Sequence, residues 1–276
     1  MRSARIAWVA FAACLLLAGA GCRRATPFRH LMKSRRSVHA PPLLAPLPAS
    51  ARIEKLELAK HSAAYVFIPE GARRPRPIVV ALHGDESADA ACTAWSTITN
   101  HDYFVLCPTL QTNSAGEGCN SVECVADELR DALIAMRQRF GRYVAPKEVM
   151  LVGRASGASR AVPIALQNPA VFSRVWLIDG GLREWSSAVS AAFAQRGGKF
   201  LGVACDGPRC DLDAPRVGTS ARMAGLSTSF VKFASSGPSW APEAVEAIRR
   251  SWQSAKPARF PWAASRKSEH TARPDG

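Results

Sequence analysis

Residues 151–158 read LVGRASGA and join two different patterns of residues. The apolar run before the glycine, residues 148–152, is typical of a buried strand, and residues 156–168 have the composition and spacing of a helix. Gly153 and Gly157 frame a sharp turn between the two, with Ala155 at its centre. A strand that enters a helix through so short a turn predicts an α/β fold with this turn at the carboxyl edge of its sheet.

Further apolar runs and helical stretches alternate on both sides of this turn. In the helical stretch 121–140, apolar residues from Val125 to Phe140 recur at steps of three and four. The pattern predicts one α/β domain over residues 51–255, a doubly wound, mainly parallel sheet with helices on both faces. Strands are predicted at 63–68, 78–82, 103–106, 148–152, 174–178, 199–204 and 228–233, and helices at 121–140, 156–168, 185–196, 211–225 and 241–254.

The positive charge of the chain is concentrated at its ends. Of a formal net charge of +14, residues 1–50 carry eight positive charges and no acidic residue, and residues 256–276 carry a net +3, so the predicted domain is nearly neutral. Residues 23–50 contain five prolines and no apolar period, which is typical of a tether, and residues 256–276 resemble a flexible basic tail. The nearly neutral domain argues against a nucleic-acid partner.

The N-terminus is typical of an export signal. Arg2 and Arg5 precede an uncharged apolar run, residues 6–17, which is too short for a membrane-spanning helix. The segment from Gly19 to Cys22 resembles a bacterial lipobox, in which the cysteine is acylated, although ordinary cleavage after Ala20 is an alternative. Residues 1–22 are therefore predicted to be a lipoprotein signal, with Cys22 as the membrane anchor in the bacterial cell envelope; otherwise the protein would be periplasmic or secreted.

Cysteine spacing favours disulfides over a metal site. Lipidation of Cys22 would leave six cysteines outside the signal, and an exported chain is oxidised. The two local pairs, Cys119–Cys124 and Cys205–Cys210, have the shortest loops to close, which leaves Cys92–Cys107. Neither local pair has the C-x-x-C spacing common in zinc sites, so no metal is expected.

Four segments follow predicted strands: His83-Gly84-Asp85, the turn around Ala155, Asp179-Gly180-Gly181 and Gly237-Pro238-Ser239-Trp240. Together they resemble the α/β-hydrolase family, and most closely its secreted esterase branch of polyhydroxybutyrate depolymerases and feruloyl esterases. The resemblance covers residues 60–255. It implies a serine nucleophile at the centre of G-x-S-x-G, a later acid and histidine, and an oxyanion hole. The resemblance places His83, Gly84 and Ser156 at that hole.

Two positions of this chain depart from the family pattern. Ala155 stands where the nucleophilic serine is expected, and Pro238 stands where the histidine is expected after the last strand. Beyond the turn, His270 is the one histidine of the sequence, and it belongs to the polar tail. A methyl group and a proline ring cannot perform the chemistry of a triad, so the pattern predicts a pseudoenzyme.

The remaining candidates belong to an alternative, a working serine esterase with a rearranged centre. Ser156 or Ser159 would be its nucleophile, and His83, His101 or His270 would be its base. Its acid would be Asp179 or Asp206, although Asp206-Gly207-Pro208 also fits a plain turn. Asp211 and Asp213 are further acids expected near strand ends.

The favoured hypothesis is an envelope protein that binds a small ligand or a protein partner without a cofactor. Its site would be the cleft of the former enzyme, with Asp85 and Arg154 near its mouth. Arg154 could hold a carboxylate or phosphate there, but an exposed arginine at a helix start is the more favoured interpretation.

Overall fold

The computed structural model describes residue 47 and residues 51–71, 74–110, 119, 121–233 and 240–255. In these ranges eight strands form one sheet in the order β1-β2-β4-β3-β5-β6-β7-β8. Only the pairs β1–β2 and β2–β4 of this described sheet are antiparallel. The strands are β1 Arg52–Leu56, β2 Ala64–Ile68, β3 Arg76–Leu82, β4 Phe104–Pro108, β5 Val144–Arg154, β6 Arg174–Ile178, β7 Phe200–Cys205 and β8 Ser227–Lys232.

Six helices of the described chain cover both faces of the sheet, as predicted. They are α1 Ala88–Ile98, α2 Val122–Phe140, α3 Ser156–Gln167, α4 Ser187–Gln195, α5 Gly207–Met223 and α6 Pro242–Ala255. Alternate residues of the central strands face opposite ways, because successive strand side chains point to opposite sides. Val80 packs in the core beneath α2 to α5, and Val79 packs in the core beneath α1 and α6. With both faces covered, β5 is apolar nearly throughout its carboxyl half.

The sequence-based prediction missed one strand and one helix. β1 has the sequence RIEKL and is largely exposed at the sheet edge, so no apolar run marks it. Helix α1 is rich in alanine, serine and threonine, and Trp95 and Ile98 supply its large buried side chains. Helix α5 begins at Gly207 rather than 211, which places Asp211 and Asp213 inside a helix instead of near strand ends.

Three disulfides tie helices to neighbouring segments, and they are the pairs expected from the spacing. Cys92 of α1 is bonded to Cys107 of β4 with a Cα–Cα distance of 5.8 Å. Cys119–Cys124 and Cys205–Cys210 each span 5.6 Å between Cα atoms. The last pair encloses the junction between β7 and α5, and therefore ties down the backbone around Asp206.

Most of the N-terminal and C-terminal predictions lie outside the described residues. These are the signal 1–22 with Cys22, nearly all of the tether 23–50, and the tail 256–276 with His270. Leu47, within the predicted tether, is described and is buried in the core beneath α2 to α5. This residue therefore packs with the folded domain. In the described chain, no helix combines the length and apolar character needed to cross a bilayer.

Candidate functional site

Ala155 lies at the tip of a strained turn between β5 and α3. Its φ of 49° and ψ of −120° fall in a region that residues with a side chain rarely adopt. The turn is held from both sides, because the Ala155 amide donates to the Ile178 carbonyl oxygen at 2.8 Å and the Ala158 amide donates to the Ala155 carbonyl oxygen at 3.1 Å. The surrounding sheet and helix therefore keep a backbone geometry that alanine itself does not favour.

Three glycines allow the turn to pack against its neighbours. A Cβ on Gly153 would lie 2.5 Å from the Gly157 carbonyl oxygen, and one on Gly157 would lie 2.2 Å from the Leu82 carbonyl oxygen. A Cβ on Gly180 would lie 2.2 Å from the Ala155 carbonyl oxygen. The two glycines of the G-x-x-x-G frame are thus needed where they stand, and Ala155 is the residue at the centre of the turn.

The two candidate serines occupy ordinary positions on α3. Ser156 is the first residue of the helix and is exposed, and Ser159 lies one turn further on and is half-buried. Neither residue has the backbone conformation that distinguishes Ala155 among the residues of this junction. The loop after β3 lies beside the turn, because a Cβ on Gly84 would lie 2.9 Å from the Ala155 Cβ.

Arg154 is buried in a group of charges and is not an exposed helix-start arginine. Its guanidinium Nη1 lies 3.2 Å from Glu86 Oε2, and its Nε lies 4.0 Å from Asp179 Oδ2. The indole ring of Trp240 lies over the guanidinium at 5.1 Å from the ring centroid. The side chains of Arg154 and Glu86 are only 10% and 8% exposed. The arginine is therefore already paired within the chain.

The Glu86 carboxylate also accepts a hydrogen bond from a backbone amide that is expected at an oxyanion hole. The Gly84 amide donates to Glu86 Oε2 at 3.2 Å, so this single oxygen accepts from both Gly84 and Arg154. The second oxygen, Oε1, is buried without a hydrogen-bond partner. Asp85, predicted beside the mouth of the cleft, is exposed. The position after β3 that contacts Arg154 is therefore Glu86.

Two acids follow the next two strands. Asp179, directly after β6, has a φ of 52°, and its Oδ1 accepts from the Asp206 amide at 3.3 Å. The pKa of Asp179 is raised to about 6, mainly by burial; the negative charge of Asp206 contributes to the rise and Arg154 opposes it. Asp206 follows β7 and stands at the N-cap of α5. The structure thus brings Asp179 and Asp206 together at the same edge as Ala155.

The described fold is shared with known hydrolases. No family model matches the chain. Over 148 residues it is 27% identical to poly(3-hydroxyalkanoate) depolymerase C from Paucimonas lemoignei, and this stretch covers 50% of the chain and 34% of that enzyme. The chain thus matches about a third of the depolymerase's length.

Solved structures agree over a larger part of the chain. A dienelactone hydrolase-like promiscuous phosphotriesterase from metagenomic libraries is 14% identical, with a TM-score of 0.53 over 74% of this chain and 95% of that one. A feruloyl esterase module from Clostridium thermocellum, complexed with sinapinate, is 13% identical, with a TM-score of 0.52 over 76% of this chain and 88% of that one. The chain has the α/β-hydrolase fold. The predicted fold class is confirmed, and so is the predicted resemblance to its esterases.

The described histidines of this α/β-hydrolase fold have partners other than the α3 serines. Both ring nitrogens of His83 lie 3.2 Å from backbone oxygens, those of Gly84 and Thr109. His101 packs against Phe67 at 5.3 Å between ring centroids, and it lies before β4, at the opposite edge of the sheet. His61 lies 3.6 Å from Asp131 of α2. The position of Pro238 lies outside the described residues.

The sequence analysis missed the site residue Glu86 and a second buried acid, Glu128. Glu128 lies on α2, is fully buried, and accepts from the Leu110 amide at 2.9 Å. Burial raises its pKa to about 7. The signal for Glu86 was its position just beyond a strand end, four residues after Leu82. The signal for Glu128 was its spacing, three residues after Val125 and four before Ala132, which places it on the apolar face of α2.

The predicted acids on α5 have surface partners instead. Asp211 lies 2.6 Å from the Lys232 ammonium, and Asp213 lies 3.2 Å from the Arg216 guanidinium, and both pairs are largely exposed. Among the described residues, no group of three or more histidines, cysteines or acids has the geometry of a metal site. What the edge around Ala155 does hold is a buried carboxylate–guanidinium pair beside a backbone turn without a nucleophile.

Proposed function

We propose that this protein is a catalytically degenerate member of the α/β-hydrolase fold that acts by binding and not by hydrolysis. The observation that carries the proposal is the methyl group of Ala155 at the tip of the strained turn. In an ester hydrolase of this fold that tip presents the attacking oxygen. An alanine methyl has no lone pair and no acidic proton, so it cannot form the acyl-enzyme intermediate.

A second observation supports loss of the reaction. The Gly84 amide and the Arg154 guanidinium, which could stabilise a developing negative charge, both donate to Glu86. A preorganised donor accelerates ester cleavage only when it is free to meet the substrate oxygen. The sequence also has proline at position 238, where a histidine base would be needed. The chain thus departs from the reaction's requirements at three places: the nucleophile position, the oxyanion donors and the histidine position.

The proposed setting is the bacterial cell envelope, with a lipid on Cys22 and no cofactor. Three disulfides in the domain suit an oxidising compartment. Mass spectrometry of the mature N-terminus should find an acylated Cys22. An unmodified N-terminus at Gly21 would refute the anchor and leave a secreted or periplasmic protein. The proposed partner is a small molecule or another envelope protein.

Fluorophosphonate labelling tests whether a serine is activated. We expect no labelling of the purified protein, because the exposed Ser156 has no histidine bonded to it in the described structure. Labelling that disappears in Ser156→Ala or in Ser159→Ala would refute the proposal and establish the alternative esterase. Each of the two variants is the control for the other, since they remove similar hydroxyls one helical turn apart.

Restoring the missing groups tests whether the scaffold is otherwise retained. In the double variant Ala155→Ser and Pro238→His we expect weak hydrolysis of an activated ester, because the turn still has the required backbone geometry. The single variant Pro238→His is the matched control and should remain inactive. A fully inert but folded double variant would show that the rest of the former cleft has also diverged.

A further inference from the structure

The buried ion pair of Glu86 and Arg154 includes a third group, the backbone amide of Gly84. Glu86 Oε2 accepts from two donors of different kinds, the Gly84 backbone amide and the Arg154 guanidinium, each at 3.2 Å. A backbone amide and an arginine together form a typical anion-binding arrangement. Both side chains are almost completely buried, so these donors are preorganised and shielded from water.

This arrangement lies next to the turn at Ala155. A Cβ on Gly84 would lie 2.9 Å from the Ala155 Cβ and 3.4 Å from Glu86 Oε2. The Glu86 carboxylate oxygen and the Ala155 methyl group therefore both lie beside Gly84, at the turn where a hydrolase of this fold has its nucleophile. A carboxylate is also the group that ester hydrolysis produces.

We propose that Gly84 and Arg154 form a carboxylate-binding site beside the degenerate turn, and that Glu86 occupies this site from within the chain. The inference rests on the loss of hydrolysis in the proposed function, because it explains what occupies the two donors that an ester hydrolase would need free. The ligand class of the site is a small monocarboxylate. Without Glu86, the site accepts such an anion from solution.

Neutralising Arg154 is not sufficient to explain the position of Glu86. Asp179 already lies 4.0 Å from the same guanidinium, and the Trp240 ring covers it. A carboxylate that only balanced the charge would not need the Gly84 amide. The other oxygen of Glu86 is buried without a partner, which is an unfavourable arrangement for a charged group. Both donors thus meet a single oxygen of the Glu86 carboxylate.

Rescue by an external carboxylate tests the proposal. The variant Glu86→Ala leaves Arg154 and the Gly84 amide without their acceptor and should have a lower Tm than the wild type. Sodium acetate or sodium formate at pH 8 should raise the Tm of this variant saturably, by about 3 °C or more at a tenfold excess over the Kd. Sodium chloride at equal ionic strength is the salt control and should not reproduce the rise.

Two variants separate occupation of this site from general effects of carboxylates. Glu86→Gln keeps the side-chain volume, so acetate should not stabilise it, and wild type should also not respond. Asp213→Ala removes a carboxylate from an exposed ion pair on α5 and leaves Glu86 in place, so it too should show no rescue. An acetate effect on Glu86→Ala no greater than that on these proteins would overturn the proposal.

The proposal can still be tested if Glu86→Ala folds poorly. If Glu86→Ala is recovered only by refolding, its soluble yield with acetate is compared with its yield in chloride, and equal yields would refute the inference. The readout is binding and needs no hydrolysis. Fluorophosphonate labelling of wild type would therefore refute the proposed function while leaving acetate rescue to decide the carboxylate site.

Discussion

Replacing Ala155 by glycine is expected to stabilise the protein, although glycine usually destabilises a folded chain. The φ of 49° and ψ of −120° at Ala155 cost a residue with a side chain on the order of 2 kcal/mol, and glycine adopts them freely. Against this gain, glycine adds about 0.7 kcal/mol of chain entropy to the unfolded state. Loss of the half-buried methyl costs roughly 0.5 kcal/mol more. The remaining stabilisation is about 1 kcal/mol, or a rise in Tm of about 2–4 °C.

The matched control for this experiment is Ala158→Gly. Ala158 is fully buried on the same helix and has no positive φ, so its replacement should destabilise the protein by about 2 kcal/mol from helix propensity and lost packing. Urea denaturation of both variants and wild type measures the two effects. If Ala155→Gly loses as much stability as Ala158→Gly, the turn is not strained and the interpretation of Ala155 as a retained nucleophile position loses its main support.

Three further outcomes are expected. The pKa of Glu128 is about 7 in the folded protein, whereas a glutamate usually has a pKa near 4.5. Folding therefore favours the protonated carboxyl, and the free energy of unfolding of wild type should fall by up to ~3 kcal/mol as pH rises from about 4.5 through 7. Urea denaturation between pH 4 and 8 should find the loss smaller by about this amount in Glu128→Gln, where the contribution of Asp179 remains, and unchanged in Glu123→Gln, an exposed residue of the same helix. Gly157→Ala should lower the Tm measured by circular dichroism, because the new Cβ would lie 2.2 Å from a backbone oxygen, even though alanine favours helices. A stabilised variant would contradict the close packing of the turn. Replacing Cys92 and Cys107 by serine should lower the free energy of unfolding measured by calorimetry by about 3 kcal/mol, since their disulfide closes a loop of 15 residues. An unchanged Tm would mean that this disulfide does not stabilise the protein.

The predicted elements with strong patterns agree with the structure, and those with weak patterns do not. Strand β6 and helix α3 were predicted almost to the residue, because both are bounded by clear turn signals and rich in buried apolar residues. Strand β1 was missed because an exposed edge strand has no apolar pattern. Helix α1 was missed, although its two faces differ in hydrophobicity about as much as those of α2.

One part of the candidate site could likewise be predicted from the sequence and another part could not. Glycine spacing was enough to place Ala155 at the centre of the turn, because only glycine leaves space for the backbones that meet there. The surroundings of Arg154 could not be predicted from that spacing. Its partner Glu86 is 68 residues away along the chain, and an arginine at a strand end is equally compatible with exposure and with burial.

Local sequence was sufficient for the α/β alternation, the three disulfide pairs and the alanine at the turn, because each depends on residues close together in the chain. The group of Glu86, Arg154 and Asp179 was decided by tertiary structure alone. β3, β5 and β6 are consecutive in the sheet and parallel, so their carboxyl ends meet at one edge although the chain between them is long. Burial at that edge then sets the pKa of Asp179 and the pairing of Arg154, and neither property belongs to any single segment of the sequence.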